Sequence, residues 1–144
     1  MLFAGLDLAL GAGDAALIVG PNGSGKSSFL RVFAGLLPPF AGRILWQGED
    51  VRREPDAFRA ALAYVGHADG LQTALTVREN LAFWARLAGA PRDAPALDEA
   101  LAAVGLADLA SLPARMLSAG QLRRLALARP IACAVGQPHP IWLL

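Results

Sequence analysis

The run Gly20-Pro21-Asn22-Gly23-Ser24-Gly25-Lys26-Ser27-Ser28 carries the residue types that grip a polyphosphate, at the spacing G-x-x-x-x-G-K-S. Glycines without a Cβ let backbone N–H groups turn inward around phosphate oxygens. Lys26 offers a point charge to β and γ phosphates, and the Ser27 hydroxyl is a ligand for Mg²⁺. ATP with Mg²⁺ is the expected ligand of Gly20 to Ser28. A glycine-rich turn without a ligand is the alternative, but average residue usage produces this pattern by chance in fewer than about one chain in a hundred of this length.

A second constellation is Leu117-Ser118-Ala119-Gly120-Gln121. Alone it reads as an ordinary helix N-cap followed by small residues. Beside a phosphate loop it reads as an anion site, a helix start with a free hydroxyl and room for a phosphate to reach the backbone. The γ phosphate it meets would belong to another copy.

These residues require particular elements around them. Leu6, Leu8 and Leu10 alternate with Asp7 and Ala9, Gly11 to Asp14 reads as a turn, and Ala15 to Val19 as a short buried strand, so a hairpin is predicted to open the chain. Lys26 to Ala34 has Phe29, Leu30 and Phe33 at helical spacing, and Gly35 with Pro38-Pro39 stops it. Arg43 to Gln47 and Ala63 to Val65 read as further strands.

Thr76 with Glu79 forms a capping box ahead of Leu81, Trp84, Ala85 and Ala88, which predicts an amphipathic helix over Val77 to Ala88. Pro95 opens another helix that ends near Gly105. Ser118 with Gln121 repeats the box before Leu122, Leu125, Ala126 and Arg129, and Pro130 is predicted to end that helix. Ile141 to Leu144 begins a buried strand. The implied class is α/β: a P-loop NTPase core over 1–76 and 130–144 with an incomplete sheet, and a small helical subdomain over about 77–129.

A length of 144 residues fits one domain or part of one, and 55% hydrophobic against 17% charged residues argues for more burial than a self-sufficient domain of that size provides. The net charge of +1, with only the short pairs Arg52-Arg53 and Arg123-Arg124, leaves no stripe for nucleic acid. Cys133 is alone, which rules out an internal disulfide, and no metal-ligand spacing surrounds it. Met1 to Leu10 is apolar but carries Asp7 and no basic n-region, so a signal peptide is the weaker reading. No stretch approaches the roughly 18 apolar residues needed to cross a bilayer, so no direct membrane insertion is expected. Trp46, Trp84 and Trp142 are read as core or partner contacts.

GPNGSGKS followed by LSAGQ and RRLALAR resembles the ABC ATPases, over nearly all of the chain. Narrower features are Leu2-Phe3, Gly5-Leu6, Gly42 to Gly48, Tyr64-Val65-Gly66-His67 and Leu75 to Leu81. With LSAGQ they are similar to the ATP-binding subunit of the bacterial cytochrome c maturation haem exporter. The resemblance implies ATP hydrolysis driving haem export, a second ATPase subunit bound head to tail, and transmembrane exporter subunits near His67 to Thr76. It also implies a peripheral position on the cytoplasmic face of the inner membrane.

His67 stands where most ABC ATPases have the glutamine that senses the γ phosphate. A neutral imidazole can exchange a hydrogen bond with a Mg²⁺-bound water; a plain loop histidine is the alternative. Haem ligation by His67, His139 or Cys133 lacks any periodicity that brings two of them to one site.

The family's opening strand, with its adenine-stacking aromatic residue, is not found before Met1. The Asp that orients Mg²⁺, the catalytic Glu and the switch His should follow the strand that begins at Ile141, and they are not among these residues. The stretch Pro130 to Pro140 departs from the family pattern, for which a reading-frame error or a degraded gene is the preferred explanation. A hydrolysis-deficient nucleotide-binding remnant and an ATPase of another ABC exporter are the competing readings. A DNA-repair or translation ATPase is disfavoured by the charge, and an unrelated P-loop kinase by LSAGQ.

Overall fold

The computed structural model describes residues 3–66, 70–90, 94–134 and 141–144, so His67 and His139 lie outside the described residues. Backbone contacts divide the chain into two compact units, Met1–Leu62 and Ala63–Leu144.

In the first unit, helix α1 (Lys26–Phe33) forms where the apolar spacing requires it, and its C-cap Ala34 returns its N–H to the Leu30 carbonyl at 2.8 Å. Phe29 and Phe33, one turn apart, approach at 5.8 Å between ring centroids, and Phe3 meets Phe29 edge-on at 5.6 Å. Strands β1 (Leu45–Trp46) and β2 (Glu49–Asp50) pair antiparallel around Gln47-Gly48, with Leu45 opposite Asp50 and Trp46 opposite Glu49. Hydrogen bonds from Arg52 hold the Asp50 carboxyl down at about 2. Helix α2 (Pro55–Ala60) starts on Pro55 and buries Phe58, whose ring lies 6.5 Å from that of Trp46.

The predicted opening hairpin is not formed. Its turn is present, with the Gly11 N–H donating to Asp14 Oδ2 at 2.8 Å, but 6–10 and 15–19 contain no strand. Leu17 is 87% and Val19 78% exposed, so the expected buried strand is also corrected. A strand gains its order from neighbours along its edges, and among the described residues none pairs with 15–19.

The second unit is built on helices α3 (Val77–Leu87), α4 (Ala94–Ala103) and α5 (Ala119–Ala134). Their facing positions are one turn or two apart: Val77, Leu81 and Ala85; Leu97, Ala100 and Leu101; Leu125, Ala128 and Ala132. Each fully buried leucine of this core contributes about 1.5–3 kcal/mol of transfer free energy. Arg78 and Asp98 bridge α3 and α4 at 2.8 Å.

Strand β3 (Leu62–Tyr64) pairs with β4 (Ile141–Leu143), and the Val65 N–H extends the pairing to the Leu143 carbonyl at 2.8 Å. Trp142 is 44% exposed, so β4 is a half-exposed strand and not the buried one predicted.

α5 also differs from expectation: it passes through Pro130 and ends at Ala134. Proline lacks the N–H that would serve the carbonyl four residues back. That carbonyl, of Ala126, accepts instead from Arg129 Nε at 3.3 Å, so the helix keeps a donor at the break.

Candidate nucleotide-binding site

The phosphate loop closes locally within the first unit. Gly25 stands at the N-cap of α1 with φ 96°, a left-handed conformation that a side chain strains. At Gly20 an added Cβ would come 2.9 Å from Ser24 Oγ, so the loop has no room for a larger residue there. Lys26 Nζ donates to the carbonyls of Gly20 at 2.7 Å and Pro21 at 2.8 Å, which draws the ammonium across the loop mouth.

The start of α1 is left chemically open. No side chain caps Gly25, and no acidic residue lies in the first turn. The leading N–H groups of a helix carry partial positive charge and need an acceptor. A phosphate is one such acceptor. Ser27 is exposed on this first turn, and among the described residues no hydrogen bond engages its hydroxyl. That suits one ligand of a Mg²⁺ ion, which keeps most of its shell from water and substrate oxygens. Among the described residues no cluster of three or more His, Cys, Asp or Glu offers a different metal site.

The LSAGQ segment lies in the second unit at the start of α5. The Gln121 N–H donates to Ser118 Oγ at 3.3 Å, and the Ser118 N–H donates to Gln121 Oε1 at 2.7 Å. This is the reciprocal capping box, so the Ser118 hydroxyl is not free as predicted. Its oxygen accepts within the helix, and its own proton is what it can offer outward. Leu117 is buried beneath the turn, while Ser118, Ala119 and Gly120 are exposed, and a Cβ added at Gly120 would meet nothing within 4 Å. The space over Gly120 is therefore open.

Within the run Leu75 to Leu81, Asn80 has a structural role that its letter alone does not announce. Its side chain is 1% exposed and fully engaged: Oδ1 accepts from the Gln72 N–H at 2.8 Å, and Nδ2 donates to Gln72, Leu75 and Thr76 carbonyls at 2.9, 3.3 and 3.0 Å. The signal was available, since Asn80 lies three residues after Val77 and beside Leu81 on the face that enters the core. The segment it holds continues into an antiparallel splice. Leu75 accepts from the Ala114 N–H at 2.8 Å, Thr73 from Arg115 at 3.0 Å, and Val77 donates to Leu112 at 2.9 Å. The chain that leads into LSAGQ is thereby registered against the segment that follows residues 67–69.

Comparison with known proteins identifies the family. Residues 3–137 match the family model of the ABC transporter. The chain is 53% identical over 143 residues to the cytochrome c biogenesis ATP-binding export protein CcmA of Rhodospirillum rubrum, spanning 99% of this chain and 59% of that protein. It is 51% identical over 146 residues to the CcmA of Paramagnetospirillum magneticum, spanning 100% of this chain and 65% of that one. The chain thus spans about three fifths of the length of these curated relatives.

Among solved structures, cbiO1 of Clostridium perfringens, part of the ABC transporter complex cbiONQ, is 31% identical with a TM-score of 0.67, over 83% of this chain and 49% of that one. An ABC transporter ATP-binding protein of Pyrococcus furiosus gives the same TM-score, 0.67, at 26% identity, over 76% of this chain and 52% of that one. The family match runs on past Pro130 to Gln137, so the stretch that looked foreign lies within it to that point. With a glycine loop opening α1, LSAGQ opening α5 and a family match across nearly every residue between, the chain belongs to the ABC transporter ATP-binding family.

Proposed function

We propose that this chain is the nucleotide-binding part of the ATP-binding subunit that powers haem export for cytochrome c maturation. The observation that carries the reading is the start of α1, uncapped and free of acidic residues, with Lys26 poised across it. Gly20 to Ser28 hold the ATP phosphates, Ser27 ligates Mg²⁺, and Leu117 to Gln121 close over the γ phosphate held by a second copy in a head-to-tail pair. His67 takes the place of the phosphate-sensing glutamine. Transmembrane exporter subunits dock near residues 67–76, on the cytoplasmic face of the inner membrane. The cargo rests on the 53% and 51% identities to cytochrome c biogenesis export proteins.

When bound, Mg²⁺ neutralises the charge that develops between the β and γ phosphates. This chain's residues supply binding and orientation: Lys26 as a charge, Ser27 as a metal ligand, and the N-terminus of α1 as a dipole.

Calorimetric titration of the folded chain with Mg-ATP tests the proposal. Lys26→Ala should weaken binding by about tenfold to a hundredfold, the scale of hydrogen bonds to a charged group. An absence of heat at millimolar Mg-ATP sinks the reading. The exposure of Leu17 and Val19 favours a second reading, a marginally stable nucleotide-binding remnant. Thermal unfolding separates the two, because a ligand specific to the folded state raises the melting temperature and a remnant shows no cooperative transition.

A further inference from the structure

Residues 66 and 70 flank the segment that carries His67; Gly66 is held by an arginine of α5, and Gly70 by Trp84 of α3, over whose ring a second α5 arginine lies. Arg123 Nη1 donates to the Gly66 carbonyl at 2.9 Å, across 57 residues of sequence. Gly66 is tight on its other side, where an added Cβ would come within 3.0 Å of the Tyr64 hydroxyl. At the far flank, Trp84 Nε1 donates to the Gly70 carbonyl at 3.0 Å, and the guanidinium of Arg129 covers the Trp84 ring at 4.4 Å. A Cβ at Gly70 would lie 2.9 Å from Arg129 Nη1 and 3.0 Å from Trp84 Cζ2, so this backbone rests directly on the pair.

Arg123 and Arg129 stand six residues apart on the helix whose first turn is Ser118 to Gln121. A helix moves as a rigid rod over this length, so groups tied to two of its turns move together. We propose that Arg123, and Arg129 acting through Trp84, are positioning residues that tie both flanks of residues 67–69 to α5. A displacement of α5 at its LSAGQ end then shifts Gly66 and Gly70 together. The inference rests on the reading of Leu117 to Gln121 as the contact for a second copy's nucleotide, but the two anchors stand on geometry alone.

Amide hydrogen exchange, read by mass spectrometry on the whole chain, tests it in two arms. Without nucleotide, Arg123→Ala and Arg129→Ala should raise exchange over 64–72 by about fivefold to tenfold, the factor for one lost hydrogen bond. Exchange across α3 and α4 should stay unchanged. Arg123→Lys, which keeps a donor, should restore most of the protection at Gly66. Unaltered exchange at 64–72, or a uniform rise over the whole unit, overturns the proposal, because a merely structural arginine would loosen everything.

With Mg-ATP, the wild-type chain should gain protection at both 117–121 and 64–72, and the alanine variants only at 117–121. Protection gained equally at 64–72 in the variants overturns the tie. A wild-type chain that gains none at 117–121, while the nucleotide-free arm gives the local rise, removes the paired-copy reading and leaves the anchors standing.

Discussion

α1 and α5 both begin with small residues at a place where phosphate is expected, yet their ends are finished differently. α5 is closed by its own side chains, Ser118 and Gln121 exchanging hydrogen bonds with each other's backbone. α3 is closed in the same way by Thr76 and Glu79, with the Thr76 N–H donating to Glu79 Oε2 at 2.8 Å and the Glu79 N–H to Thr76 Oγ1 at 3.1 Å. α1 has no such closure. A capped end is self-sufficient, while an uncapped one must take its acceptor from water or a ligand. The sequence therefore gives up a side-chain cap at α1, where the proposed ligand supplies the acceptor, and keeps one at α5.

The largest effect that can break this contrast lies behind the closed ends. Asn80→Leu removes a buried amide and strands the Gln72 N–H, while the Gln72, Leu75 and Thr76 carbonyls each lose one of two donors and keep a backbone N–H. The expected loss is about 1–3 kcal/mol in urea unfolding, the cost of buried groups left unsatisfied. Leu17→Ala, on the exposed segment before the phosphate loop, should change stability by less than about 0.5 kcal/mol. Equal costs would mean that the two regions are not built differently.

A smaller effect sharpens it. Ser118→Ala should cost about 1 kcal/mol of stability by opening the α5 cap. The affinity of a single chain for Mg-ATP should not move, since its own phosphates are held at α1. A parallel loss of affinity would place Ser118 in the loop's own site and contradict the division of labour.

What the sequence made legible was local. The glycine loop, both capping boxes and the helices after them depend on residues within four positions of each other, and each formed within a residue or two of its expected start. The hairpin over 6–19 is not formed because two strands alone are marginal without a third strand or a helix packed on them, which alternation of Leu6, Leu8 and Leu10 cannot supply. Pro130 reads as a terminator from the lost N–H alone, and the Arg129 bond to Ala126 that offsets it is a rotamer choice invisible in the letters. The anchors at Gly66 and Gly70 span tens of residues, and no spacing rule points from Arg123 to Gly66.

The smallest effect separates the two closed ends from each other. The α3 box uses a carboxylate, Glu79, whereas the α5 box uses the amide of Gln121, which does not titrate near neutral pH. Hydrogen bonds from the Thr76 backbone and then its hydroxyl hold the Glu79 carboxyl below its ordinary value of 4.5. A depressed carboxylate binds protons more readily in the unfolded chain, so its contribution is complete above 4.5 and fades as pH falls through the folded value. Unfolding free energy measured on the wild type and on Glu79→Gln should therefore differ at pH 6 and converge under acid, with the wild type the steeper of the two. Gln121→Ala should instead shift the curve by the same amount at every pH. If Glu79→Gln runs parallel to the wild type down to strong acid, the α3 end is held by its hydroxyl alone, and the resemblance between the two boxes is only one of spacing.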